Sequence, residues 1–226
     1  MNRSSVYGYI TLLVLLVFLT REVMVTRSLV LSIDMWFENL LLFARTPTLL
    51  DVFNWVTLLG STLFVVAIAG LVSLAIFFFK INTFYIWGLA TALIGAGVSE
   101  HSMKVIIQRA RPGGLIQTVG ENSFSFPSGH ATGAMVLYGF IASFLCRLYP
   151  QSTRVVVPTT VAIIIAVGFS RLYLGVHFPS DVVAGYILGG IWLLIGVQVT
   201  RFISSKRTHC LFLSEKSNEF VGEKSL

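Results

Sequence analysis

Three stretches of the sequence gather residue types that handle phosphate: KVIIQRARP from Lys104 to Pro112, PSGH from Pro127 to His130, and SRLYLGVHFPSD from Ser170 to Asp181. Lys104 and Arg111 stand seven residues apart. On a helix that spacing returns to the same face after two turns, so both cations can address one spot, with Pro112 as the expected helix stop. Cations snorkelling at a membrane boundary would give the same pattern. Ser128 is placed to cap the apolar run that follows it, and the first turn of such a helix offers backbone N–H groups and a favourable dipole to an anion. A histidine at such a boundary is more often simply hydrogen-bonded than catalytic; beside a phosphate cradle, His130 becomes a candidate acid. Arg171 adds a third cation, able to grip phosphate oxygens in bidentate fashion. Pro179 and Ser180 open the last helix, leaving His177 just outside it and Asp181 in its first turn. Asp181 near one ring nitrogen would fix the tautomer of His177 and make the other nitrogen more basic, although alone it reads as a carboxylate favoured by the helix dipole. Glu100, one turn before Lys104, reads as its i,i+4 partner. His101 and Arg109 are weaker candidates for contact with a substrate headgroup.

The elements that must hold these residues are apolar. Hydrophobic residues make up 55% of the 226, charged residues only 12%, and mean hydropathy is +0.84. An ordinary soluble domain carries about twice that charge. The chain therefore reads as an all-α integral membrane protein, one membrane domain over residues 1–203 followed by a polar cytoplasmic tail over 204–226, expected to be disordered. The formal charge of +6 does not indicate nucleic-acid binding, because the basic residues are scattered between apolar runs instead of forming a stripe. No small-x-small cleavage site follows the apolar run from Val6 to Leu19, so it reads as a retained helix instead of a signal peptide.

Six apolar segments are expected as transmembrane helices, at about 6–24, 53–79, 83–103, 129–149, 155–171 and 181–203. Between the first two, residues 25–52 mix leucines and Trp36 with Asp34, Glu38 and Arg45, which fits an amphipathic segment lying in the interface, or else a plain connecting loop. With both termini cytoplasmic, nine basic residues fall inside and three outside once Lys104, Arg109, Arg111 and Arg171 are set aside. The positive-inside rule supports that orientation. Cys146 and Cys210 then both lie near the reducing side, where a disulfide is not expected. All three motifs fall at the opposite, extracytoplasmic side, so three cations, two histidines and a carboxylate converge on one face. Each full charge costs roughly 2.5 to 3.5 kcal/mol at the centre of a bilayer helix, so a cluster of this kind calls for a function.

The set K-x6-R-P, P-S-G-H and S-R-x5-H-x3-D resembles the three-part signature of the type 2 phosphatidic acid phosphatase superfamily, which also includes vanadium haloperoxidases. All eleven fixed positions are present. The resemblance implies that His177 attacks phosphorus to form a phosphohistidine, that Asp181 orients it, and that His130 protonates the leaving group. Lys104, Arg111, Arg171 and the backbone around Ser128 and Gly129 would hold the phosphoryl oxygens. No metal or other cofactor is implied. The expected substrate is a lipid phosphate or diphosphate, such as phosphatidic acid, phosphatidylglycerol phosphate or undecaprenyl diphosphate, met at the cell (inner) membrane, with headgroup choice set partly by the loop 113–126. A phosphotransferase that passes the phosphoryl group to another lipid or a sugar stays open, as does a non-catalytic lipid-binding or transport protein. A haloperoxidase would be expected to be soluble. Oligomeric state is not legible from sequence.

Overall fold

The computed structural model describes residues 3–25, 28–112 and 123–223. Among the described residues eight α-helices follow one another: α1 Arg3–Met24, α2 Leu29–Ala44, α3 Pro47–Leu58, α4 Thr62–Phe78, α5 Phe84–Ile107, α6 Gly129–Leu148, α7 Thr153–Tyr173 and α8 Pro179–Glu223. Their starts are written locally. Ser28, Thr46 and Ser61 each accept a hydrogen bond from the backbone N–H three residues on, capping α2, α3 and α4. Pro47 and Pro179 occupy first-turn positions, where a missing N–H costs nothing.

The helices α5, α6 and α8 form the centre, with α7 against α6 and α1 along α8. Close approach of α6 and α8 depends on small residues. A Cβ on Gly185 would lie 2.6 Å from the Ser128 carbonyl, and one on Gly189 would lie 2.8 Å from that of Thr132. Bare backbone along this G-x-x-x-G stripe lets the helices pack by dispersion without a bulky side chain between them. Outside this centre the surface is apolar: Leu13, Leu63, Phe78, Ile94, Val155 and Ile165 are all exposed. Such a surface is a membrane surface.

Six apolar segments were expected to cross. Among the described residues, four helical stretches are long and apolar enough to do so: Val6–Met24, Gly129–Leu148, Pro150–Tyr173 and Pro179–Ser205. A fifth is reached if Pro47–Leu58 and Thr62–Phe78, bent by 41°, count as one span. The segment expected at 83–103 is the helix α5, but Glu100, His101 and Lys104 occupy its last two turns and lower its hydropathy. The protein is all-helical among the described residues and multi-pass. Among the described residues α8 continues past residue 203 as far as Glu223.

The mixed stretch 25–52 forms α2 and the first turns of α3, and it does more than connect. Its end is fastened to α7: the Tyr173 hydroxyl donates to the Ala44 carbonyl at 2.7 Å and accepts from Thr46 N–H at 3.1 Å. Arg45 donates to the Tyr173 carbonyl at 2.8 Å, pairs with Glu38, and packs against Gly175. Gly175 has φ +67°, the left-handed conformation that reverses the chain after α7 and delivers His177 to the site.

Candidate active site

His177 lies in the turn between α7 and α8 and is 2% exposed. Its Nδ1 is 3.3 Å from Ser125 Oγ and 3.5 Å from Asp181 Oδ2, and its Nε2 is 3.4 Å from an Arg111 nitrogen. Ser125 also donates to Asp181. A serine has one proton to give. With its O–H directed at Asp181, Ser125 Oγ accepts from Nδ1–H, and the lone pair of His177 is left on Nε2. Burial holds the imidazole well below its usual 6.5, at about 4; the hydrogen bond and charge of Asp181 pull it up, and Arg171 and Arg111 push it further down. At neutral pH the ring is therefore uncharged.

Asp181 is fully buried and held from several sides. Phe178 N–H donates to its Oδ2 at 2.8 Å, and Arg109 donates to its Oδ1. The same guanidinium bonds Ser180 Oγ at 2.7 Å and Asp34 Oδ2 at 2.7 Å, and it lies 4.4 Å from the centre of the Phe178 ring. Asp34 in turn accepts from the backbone N–H and the hydroxyl of Ser180. Arg109 is thus committed to two carboxylates and is not presented to a headgroup. Asp34, 1% exposed on α2, belongs to the site, although the sequence reading passed over it. No local pattern marks it, because its partner Arg109 lies 75 residues away in the chain.

Lys104 and Arg111 do meet, by a different route from the one their spacing suggested. The helix α5 ends at Ile107, before Pro112, because Gln108 turns into the left-handed region at φ 49°. Arg111 then comes back from an extended segment. Its guanidinium bonds the Ser123 carbonyl at 2.8 Å, Ser123 Oγ at 3.1 Å and the Val176 carbonyl at 2.8 Å, and Lys104 Nζ reaches the same Ser123 Oγ at 3.4 Å. Lys104 also pairs with Glu100 at 2.9 Å, the i,i+4 pair that was expected. Arg171 is 1% exposed and donates to Thr57 Oγ1 at 2.8 Å. His101 lies exposed on α5, and the residues 113–122 of the loop assigned to headgroup choice fall outside the described residues.

Ser128 occupies the N-cap position of α6, but its side chain makes no cap bond. Its Oγ is buried without a hydrogen-bond partner among the described residues, and its N–H donates to the Asp181 carbonyl at 3.0 Å. The backbone donors left at this helix start are therefore those beyond Ser128. A cavity of about 310 Å3 opens here between α4, α5 and α6, lined by Glu100, Lys104, Ser123, Gly129, His130 and His177 together with apolar residues such as Val65 and Leu93. A Cβ on Gly129 would sit 2.8 Å from Glu100 Oε1, so a side chain there would push the Glu100 carboxylate aside. Polar donors at one end and apolar walls at the other suit a ligand with an anionic head and a hydrocarbon body.

The sequence pattern of the PAP2 superfamily matches residues 85–204. Phosphatidylglycerophosphatase B of Bacillus subtilis (strain 168) is 33% identical over 180 residues, 77% of this chain and 86% of its own length. The lipid A 1-phosphatase of Rhizobium etli is 35% identical over 116 residues, 47% of each chain. Among solved structures, the first transmembrane PAP2-type phosphatidylglycerolphosphate phosphatase, from Bacillus subtilis, superposes with a TM-score of 0.78 at 29% identity, over 88% of this chain and 97% of that one. The chain belongs to the PAP2 superfamily.

Proposed function

We propose that the protein is an integral membrane lipid phosphatase that hydrolyses a lipid phosphomonoester of the phosphatidylglycerol phosphate kind, without a metal, through a phosphohistidine on His177. The observation that carries this reading is the placement of the His177 imidazole at a cavity lined by Lys104 and His130, with its far nitrogen beside Ser125 and Asp181. The Nε2 lone pair attacks phosphorus as the bond to the lipid oxygen breaks in line, and His130 gives its proton to that oxygen. Water then attacks phosphorus as His130, now the base, takes a proton from it; the P–N bond breaks with its electron pair returning to His177 Nε2, and inorganic phosphate leaves. Lys104, Arg111, Arg171, Ser128 Oγ and the N–H groups from Gly129 onward balance the charge on the equatorial oxygens, the task a divalent ion performs elsewhere. Asp181 and Asp34 are both bonded to Arg109 and so are poor candidates to ligate a metal.

The helices α1, α4, α5, α6, α7 and α8 would make six crossings, with α2 in the interface, both termini cytoplasmic and the cavity extracytoplasmic. The excess of nine basic residues over three supports that orientation. At 24 residues, α5 is about 36 Å long, enough to cross a hydrocarbon core of about 30 Å despite its polar end. Phosphate release from lipid monophosphates and diphosphates in matched micelles with excess chelator tests the function. Release that continues under chelation, is blocked by orthovanadate and is lost in His177→Ala is the expected result. Strict dependence on magnesium would overturn the metal-free mechanism, and near-normal turnover of His177→Ala would overturn the nucleophile.

A further inference from the structure

At the end of the bundle away from His177, α5, α6 and α8 enclose a second cavity, of about 410 Å3. The distance is set by α6, which runs from Gly129 in the first cavity to Leu148, 20 residues and about 30 Å of helix. One wall is aromatic, with Tyr85 and Phe144 meeting edge to face at 4.8 Å. The helices α5 and α8 cannot close further there, because their backbones touch at Gly88 and Gly196, where a Cβ on Gly88 would lie 2.6 Å from the Gly196 carbonyl. Arg147, from the last turn of α6, and Arg201, from α8, line the same cavity and are exposed. Among the described residues neither guanidinium has an acidic partner, in contrast to Arg45 and Arg109.

We propose that this cavity is a second anion site, which takes a phosphate group between Arg147 and Arg201. Two unneutralised guanidinium groups at one mouth match the charge and the fork geometry of phosphate oxygens. Arginines that merely snorkel from a helix end would need no cavity between them. The aromatic wall beside the cations fits the glycerol and upper acyl portion of a phospholipid, and basic pockets between membrane helices bind anionic headgroups in this manner. Phosphate presented by a lipid and free phosphate share the same chemistry at the arginines. The site takes no part in the chemistry at His177 and does not depend on the function proposed above.

The full chain, reconstituted in nanodiscs of phosphatidylcholine, provides the test. One arm titrates phosphatidylglycerol into the disc, the other inorganic phosphate into the buffer, and each is read by the thermal unfolding midpoint and by lipid retained in native mass spectrometry. A saturable rise in midpoint is expected, weakened about fivefold in apparent affinity by Arg147→Gln or Arg201→Gln and about thirtyfold by both. The double Lys variant, which keeps both charges, should retain most of the affinity, and vanadate-sensitive phosphate release should be unchanged in all of them, which reports a folded chain. A response to phosphatidylglycerol alone assigns the site to a lipid, and a response to phosphate as well assigns it to the anion in general. Absence of any response in the wild type, or equal affinity in the double Gln variant and the wild type, overturns the proposal.

Discussion

At the scale of single residues, one hydroxyl group that the sequence motifs leave out links the histidine of the site to its carboxylate. Ser125 stands between His177 and Asp181, so Ser125→Ala removes a buried hydrogen-bond link while leaving both partners in place. A loss of about 1 to 3 kcal/mol is expected for an unsatisfied buried group, about five- to 160-fold in kcat, with KM little changed. Steady-state kinetics on a lipid monophosphate measures it. The protonation of His177 gives a second expectation. Its folded value is depressed to about 4 from 6.5, so the unfolded chain binds a proton in that window and the folded chain does not. Stability should fall as pH drops from about 6.5 towards 4, and kcat/KM should hold through that range before its acid limb appears near 4. An acid limb near 6.5 that disappears in no His130 variant would contradict an uncharged nucleophile.

At the scale of elements, most of the helices were legible because they are long apolar runs bounded by charge: four of the six expected segments match a helix to within a few residues, and a fifth, 181–203, opens α8, which runs on to Glu223. Two boundaries were not. The helix α5 stops at a left-handed Gln108, a residue type with no particular preference for that conformation, so the seven-residue spacing of Lys104 and Arg111 suggested a shared helical face that does not exist. The segment 53–79 hides a 41° bend, with a capping Ser61 after Gly60. The importance of α2 was invisible for a different reason: Asp34 finds Arg109 75 residues away, and no local pattern reports a contact of that length. Asp34→Asn should leave Arg109 with a single carboxylate and cost about 3 to 5 kcal/mol if the loss of a buried charge partner is fully felt. Thermal unfolding in detergent, together with turnover, reads this outcome. Where α6 and α8 cross, Gly185→Val should separate the two motif-bearing helix starts, because Ser128 O has no room for even one carbon. Turnover should fall at least as steeply as stability, since Ser128 and Asp181 are bonded to each other across that crossing.

The whole molecule divides its labour along the membrane normal. One end collects His177, His130, Lys104 and Arg111 around a cavity, the middle is small residues and aliphatic packing, and the other end presents Arg147 and Arg201. Reporter fusions at the two termini should give the same compartment if six helices cross, and opposite compartments if five do. The bonded set Asp34, Arg109, Ser180 and Asp181 has a further consequence, for modularity. The stretch matched by the superfamily begins at residue 85, and all eleven signature positions lie within it, so it looks like a unit that could be cut out or transplanted. It is not one. A graft starting there would carry Arg109 without the carboxylate on α2 that neutralises half of its bonding, and would lose the clasp of Arg45 on the Gly175 turn. Chimeras that exchange the first 60 residues between relatives should work only when donor and recipient agree at the positions of Asp34 and Arg45, whatever their agreement at the signature itself.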